Sequence, residues 1–476
     1  MTLYHYIGAA LVLLLITIIG IYSGKRVKSA NDFSGGSKKA GAGIVTGSII
    51  GTLVGGASTI GTAQLAFSFG FSAWWFTLGA GLGCLTLGLF FAKPLYESGI
   101  QTLPEVFSRE FGKRCGVAAT ILTSVGSFLS IVSQVLSGIA LVAVVGSLGR
   151  IPATFITIAL MLVYVVFGGV WGAGLVGIAK TLLMYAGLGI CLAAAVVLQG
   201  GFGAFKLPGD IYFNLFARGV VVDLGAGLSL VLGVLTTQAY IQAAISAKSL
   251  RSSRIGIFLS AVLIPIMGIP GIYVGMYMKL HRPEVASASV MPLFILENLP
   301  PVLAGMILAV LLVALVGTGA GISLGISSMF VKDIYKQFIN KTPSDKRTLL
   351  VSRLVIVVVL LTAAVFTFGD MGSLILGWSF MSMGLRGAVA FVPLCAVLFF
   401  PGKIAKGAAF ISMLVSPVLV LIGKILINAG LMSGAIDPLF PAIGGSILIF
   451  ACGYLYSRIH SAAPTAALTA TPNDLK

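Results

Sequence analysis

Two cations stand in stretches that otherwise hold none. Lys180 lies in the run VWGAGLVGIAKTLLMYAGLG, and Arg386 lies in MSMGLRGAVAFVP. A charge deep in an apolar segment is costly, so it marks either function or a partner that must be named. A lysine ammonium brings three donors and, unlike a guanidinium, can give up and retake a proton. The arginine fork fits a carboxylate or phosphate. Simpler readings stand beside both. Lys180 is about a third of the way into its run and can snorkel to an interface, and Arg386 can pair with a carbonyl cluster or a helix C-terminus. All 13 acids fall at the ends of apolar runs, in loops or in the tail. A cationic solute would find no counter-charge, whereas an anionic or zwitterionic one would find Lys180 or Arg386. Sugars also suit the hydroxyl and amide side chains present.

A third source of chemistry is the backbone of Gly51–Gly70, GTLVGGASTIGTAQLAFSFG. Glycine is a weak helix former, and hydroxyl side chains compete for backbone hydrogen bonds. An unwound segment in hydrocarbon survives only where it lines a cavity or binds something, and broken helices near the midplane build ion and solute sites in secondary transporters. Polar side chains near such a break are few: Ser58, Thr59, Thr62 and Gln64, then Ser124, Ser127, Ser130, Gln134 and Ser137 at helical spacing, then Thr236, Thr237, Gln238, Tyr240 and Gln242. The serine stripe reads first as helix packing by small polar residues. Gln134 is the member expected to reach solute or water.

The elements that must position these groups are membrane helices. Hydrophobic residues make up 58% of the chain and charged ones 9%, against about 25% charged in soluble domains. Thirteen runs approach the roughly 20 residues needed to span a bilayer: 3–22, 42–69, 71–95, 115–146, 151–170, 173–199, 220–245, 255–278, 300–329, 349–368, 373–399, 404–427 and 437–457. With the N-terminus outside, twenty Lys and Arg fall in inner loops and five in outer ones, the bias that cytoplasmic loops show. The net charge of +17 is then topology, with the C-terminus inside the cytoplasmic membrane and no nucleic-acid partner. The five cysteines have no paired or metal-type spacing and read as small buried hydrophobes. Residues 461–476 read as a disordered tail.

An embedded enzyme would need clustered acids, histidines or metal ligands. His5, His281 and His460 lie at run edges or beyond, and no phosphate-cradling GxxxxGK[ST] loop is present. A carrier is therefore favoured over an enzyme or an ATP-driven pump. An ion channel or uncoupled facilitator is the alternative.

Five local patterns then converge on one family. KRVKSANDFSGGSKKAG (25–41), the broken run with its sequel TIGTAQLAFSFGFSAWW, TLPEVFSREFGKR (102–114), QAYIQAAISAKSLRSSRIG (238–256) and SSMFVKDIYK (327–336) resemble, in order, motifs of the sodium:solute symporter family. The resemblance implies an all-α polytopic fold of the LeuT type, with a 5+5 inverted repeat. It divides the chain into 1–41 (first peripheral helix and link), 42–199 (first repeat), 200–399 (second repeat), 400–460 (peripheral spans) and 461–476 (tail). It implies a monomeric secondary transporter that takes up a small-molecule substrate with Na+ or H+ as the coupling ion and no cofactor. The substrate pocket would use Ser58, Thr59, Gln64, Gln134, Gln238, Tyr240 and Arg386.

Carried over residue by residue, the family's sodium position falls on the carbonyls of Gly51, Val54 and Ala314 and on the hydroxyl of Thr318. Where the family has a second hydroxyl, this chain has Gly317. Aligned on Gly168 and Gly169, the family's TDxxQ pattern becomes Val176-Gly177-Ile178-Ala179-Lys180: the acid is gone and a lysine holds the glutamine position. The expectation is that the Lys180 ammonium fills or adjoins the cation position, with coupling either by Na+ at a weakened site or by H+ through Lys180.

Overall fold

The computed structural model describes residues 1–24, 38–201, 203, 205–367, 374–432 and 436–460, with the side chains of 21, 165–176, 428 and 460 left aside. Most of the link 25–41, the tail 461–476 and the side chains of Gly168, Gly169 and Val176 thus lie outside the described residues. The described chain is helical, with one isolated bridge pair as its nearest approach to a sheet.

In chain order the helices are α1 (Leu3–Gly24), α2 (Ala42–Leu53), α3 (Thr62–Phe69), α4 (Trp75–Thr86), α5 (Ala92–Glu97), α6 (Leu103–Phe111), α7 (Lys113–Gly146), α8 (Arg150–Gln199) and α9 (Gly209–Tyr212). They continue with α10 (Val220–Thr236), α11 (Gln238–Ile245), α12 (Leu250–His281), α13 (Val290–Asn298), α14 (Pro301–Met329), α15 (Asp345–Thr367), α16 (Ile375–Phe399), α17 (Lys406–Asn428) and α18 (Leu439–His460). Ten helical stretches are long and apolar enough to cross a bilayer, or eleven if α10 and α11 count as one bent span. Among the described residues the expected spans are changed at one place: the run 42–69 is cut by its break, which leaves α2 at 12 residues and merges the rest into one stretch, Ala57–Glu97. The run 151–170 lies in the 50-residue α8, whose apolar pieces Arg150–Tyr164 and Gly177–Gln199 flank the side chains left aside.

Burial sorts the helices. The central windows are 78% buried in the stretch begun by α14 and 72% in α16, against 22% in α1 and α15 and 28% in α18. Helices buried all round form the core, and those with one apolar face open sheathe it, since lipid satisfies that face. α14 packs on α1, α8, α7 and α2, and α16 packs on α7 and α10.

Two helices break within this core. α2 stops where Val54 turns extended (φ −88°, ψ 101°), and the chain resumes through a π-helical turn, Ala57–Gly61, before α3. α10 stops where Thr237 turns extended (φ −91°, ψ 120°), and α11 leaves at 49°. Main-chain bonds tie the two broken spans together at one end: the Ala40 amide donates to the Ser246 carbonyl at 3.1 Å, and the Lys248 amide donates to the Ala40 carbonyl at 2.8 Å. At the other end Arg218 pairs with the fully buried Asp223, and Ser72 donates to the same carboxylate at 2.7 Å.

Candidate functional site

The break after α2 frees backbone oxygens that a continuous helix would have used internally. Ser58 and Thr59 bring their hydroxyls back onto the Gly55 carbonyl at 3.0 and 2.9 Å, and the Gly55 amide donates to Ser58 Oγ. The Gly56 amide donates to Gln134 Oε1 on α7 at 2.8 Å. Gln134 is therefore engaged by the break itself, and its side chain is buried.

The oxygens left over meet Lys180. The side chain enters from α8 and is 2% exposed. Its Nζ donates to the Gly51 carbonyl at 2.5 Å, the Ala314 carbonyl at 3.0 Å and Thr318 Oγ1 at 3.2 Å. The Thr318 hydroxyl, accepting from the lysine, donates onward to the Val54 carbonyl at 3.2 Å. An ammonium has three donors and no acceptor, so this set satisfies it completely. Gly51, Val54, Ala314, Thr318 and Lys180 are thus brought into one cluster, and no ion pair among the described residues includes Lys180. An interface-seeking lysine would have left the bundle, and this one does not.

Two glycines shape the cluster. A Cβ on Gly177 would stand 2.3 Å from the Gly47 carbonyl oxygen, so this position carries the close crossing of α8 over α2. Gly317 differs: a Cβ there would meet Tyr164 Oη at 3.5 Å and Lys180 Nζ at 3.6 Å, ordinary contact distances. The missing second hydroxyl is a vacancy of side chain and not of space.

Of the remaining expected pocket residues, Gln64, Gln238 and Arg386 have hydrogen-bond partners within the bundle, and Tyr240 is buried. Gln64 accepts from the Ile375 amide at 2.9 Å and anchors the start of α16. Gln238 accepts from the Leu103 amide at 2.7 Å and donates to the Gln101 carbonyl at 3.1 Å, fastening α11 to the start of α6. From the serine stripe Ser130 reaches α16, sharing a hydrogen bond of 2.7 Å with Ser382, and its neighbour Ser133, outside the stripe, accepts from Ser379 at 2.8 Å. Arg386 is fully buried beside that seam. Its Nε donates to the Ser382 carbonyl at 3.2 Å, and one terminal nitrogen reaches Ser130 Oγ, Ser382 Oγ and Met383 Sδ. A cavity of about 130 Å³ lies elsewhere, between α10, α16, α17 and α18, and none of the expected pocket residues lines it.

Residues that the spacing had not singled out complete the arrangement. Asp333, 4% exposed, accepts from Thr102 Oγ1 at 3.0 Å and from Thr120 Oγ1 at 3.4 Å, while Thr102 also caps α6 by accepting from the Glu105 amide. Asp333 and Thr102 stand in two of the motifs quoted above, so the pattern was visible although the pairing was not.

Known proteins are similar to this chain in sequence and in fold. The profile of the sodium:solute symporter family matches residues 35–416. The chain is 26% identical to the human high affinity choline transporter 1 over 83% of its length and 72% of that protein's. It is also 26% identical to the high-affinity proline transporter PutP of Bacillus subtilis over 96% and 98% of the two chains. Among solved structures, the substrate-bound outward-open state of a Na+-coupled sialic acid symporter superposes with a TM-score of 0.78 at 18% identity, covering 96% and 98%.

Proposed function

This chain belongs to the sodium:solute symporter family, and from that premise we propose that the cation driving its cycle is a proton carried by Lys180. The protein is a multi-pass, LeuT-type helical transporter and not an enzyme; its class is the cation-coupled symporter of a small molecule. The reading of the ion rests on one observation: the ammonium occupies the place bounded by Gly51, Val54, Ala314 and Thr318 and uses all three of its donors there. Protonated, Lys180 pins the broken span to α8 and α14. Deprotonated, it loses its charge-assisted bonds, each stronger than a neutral one, and the break is released to move. A proton gained on one side and lost on the other therefore opens the bundle alternately, as a rocking carrier requires.

The solute is a small polar metabolite, anionic or zwitterionic. The bundle buries two cations, Lys180 and Arg386, while the buried acids Asp223 and Asp333 are engaged by Arg218 and by threonines. Relation to a proline transporter along nearly the whole chain supports a zwitterion more than relation to a choline transporter does. Each proposed repeat, 42–199 and 200–399, opens on a broken span, at Val54–Gly56 and at Thr237. We place the N-terminus outside and the C-terminus inside, and take the single chain as the working unit.

Uptake into proteoliposomes, with sodium exchanged for N-methylglucamine and a proton gradient imposed or collapsed, tests the ion. Proton-driven, sodium-indifferent uptake that is lost in Lys180→Ala is the expected result. Strict sodium dependence retained in Lys180→Ala removes the lysine from the mechanism. That outcome is the second reading, favoured by the four oxygens gathered at the site, in which sodium binds a weakened position. Non-saturating flux without counterflow would identify a channel on the same fold, and saturable exchange that neither gradient drives uphill would identify an uncoupled facilitator.

A further inference from the structure

Arg386 is a fully buried guanidinium without an acid. Every group its nitrogens reach is neutral, namely Ser130, Ser382 and Met383, and its NH1 atom is buried with no hydrogen-bond partner. A buried charge with an unmade bond is among the costlier things a fold can hold. The fork is also held in place. A Cβ on Gly126 would stand 2.6 Å from Arg386 Cγ, so α7 keeps a gap for the stem, and Ser130 and Ser382 fix one arm while the other is left over.

We propose that the free edge of Arg386 is the seat of the solute's carboxylate. The proposal rests on the reading of the chain as a carrier of an anionic or zwitterionic metabolite and deepens it by naming the group that receives the charge. Arg386 lies on α16 against α7, at Gly126 and Ser130. A carboxylate there bonds to the fork and to the neighbouring hydroxyls, and it neutralises a buried cation that, unlike Lys180, keeps a donor unused among the described residues. An empty seat is costly and a filled one is not. The solute thus supplies the counter-charge that the chain itself omits.

Melting of the purified full-length protein, at fixed pH and without sodium, provides the test, with acetate, glycine and ethylammonium as probes. Acetate and glycine raise the melting temperature of the wild type and ethylammonium does not. Arg386→Lys, which keeps the charge without the fork, weakens both responses by about tenfold or more. Gly126→Ala, which pushes on the stem and leaves Arg386 in place, weakens them as well. Arg386→Met abolishes the response yet melts no lower than the wild type without probe. A structural arginine gives the opposite pattern: Arg386→Met melts well below the wild type, and Arg386→Lys and Gly126→Ala keep the acetate response. Because binding is read and not transport, a failure of the proton reading leaves these results unchanged.

Discussion

The pair Lys180→Ala and Gly317→Ser should turn the lysine cluster into a sodium site. Removing the ammonium takes one donor each from the Gly51 and Ala314 carbonyls, but the Thr318 hydroxyl stays 3.3 Å from the first and the second lies inside the unbroken α14. An unsatisfied buried polar group costs about 1–3 kcal/mol, so Lys180→Ala stands to lose no more than about that, offset in part because a desolvated charge leaves too. A cation refilling the space returns about 2.7 kcal/mol at a hundredfold excess over its dissociation constant. With lysine gone, the Gly51, Val54 and Ala314 carbonyls and Thr318 Oγ1 offer four oxygens. Serine at 317 adds a fifth, since its Cβ meets Tyr164 Oη at 3.5 Å and the lysine Nζ and Cδ at 3.6 and 3.7 Å, and in the double variant both lysine atoms are gone. Melting curves over a sodium titration at constant ionic strength, with N-methylglucamine as balance, read the outcome. The wild type should stay flat, Lys180→Ala should rise weakly, and the double variant should rise at about tenfold lower sodium. A double variant that folds and stays flat refutes the idea that this cluster is a cation position. A wild type that rises as steeply refutes the claim that lysine already fills it.

Other expectations follow from the same geometry. Gly177→Asp restores the acid of the family pattern yet should destabilise the protein by about 1–3 kcal/mol or more, because its Cβ falls 2.3 Å from the Gly47 carbonyl; melting temperature checks this, and no sodium response should appear. Gly55→Ala drives a methyl to 2.4 Å from Thr318 Oγ1 and 2.7 Å from Gln134 Oε1, so uptake should fall at least tenfold even where the protein still reaches the membrane. Arg218→Gln leaves the fully buried Asp223 without its cation; the cost should be about 3–5 kcal/mol, and Asp223→Asn in the same chain should recover much of it. Thr102→Val removes both a donor to Asp333 and the cap of α6; thiol labelling of a cysteine placed at Gln101 should speed up as α6 loosens.

Much of the cluster was legible because its logic is backbone chemistry. GTLVGG announces a helix that cannot stay wound, and spacing to Ala314 and Thr318 follows once the helix exit at Ser327, Ser328 and Asp333 is aligned. Lys180 drew attention by type alone. The pocket was less legible, since Gln64, Gln134 and Gln238 look like solute ligands in one dimension. In the fold each satisfies an orphan main-chain amide, at Ile375, Gly56 and Leu103. Buried amides demand partners, and sequence does not show which amides lack them. The place where the run 42–69 divides was hidden for a related reason: hydropathy sees length and apolar content, while a break divides a span without making it more polar. Gly177 was read as an acid lost, and it is also a crossing gained, which only the approach of α2 reveals.

The clasp between Ala40 and Ser246–Lys248 uses main-chain atoms alone. Its bonds are indifferent to side-chain identity, so at the exposed Lys248 every residue but proline keeps them, and at the buried Ala40 a substitution reports on packing and not on the clasp. Proline at 40 or at 248 is the exception, since it alone deletes a donor. A joint that yokes both broken spans is therefore genetically almost invisible, and a screen that finds nothing there has not shown that nothing is there.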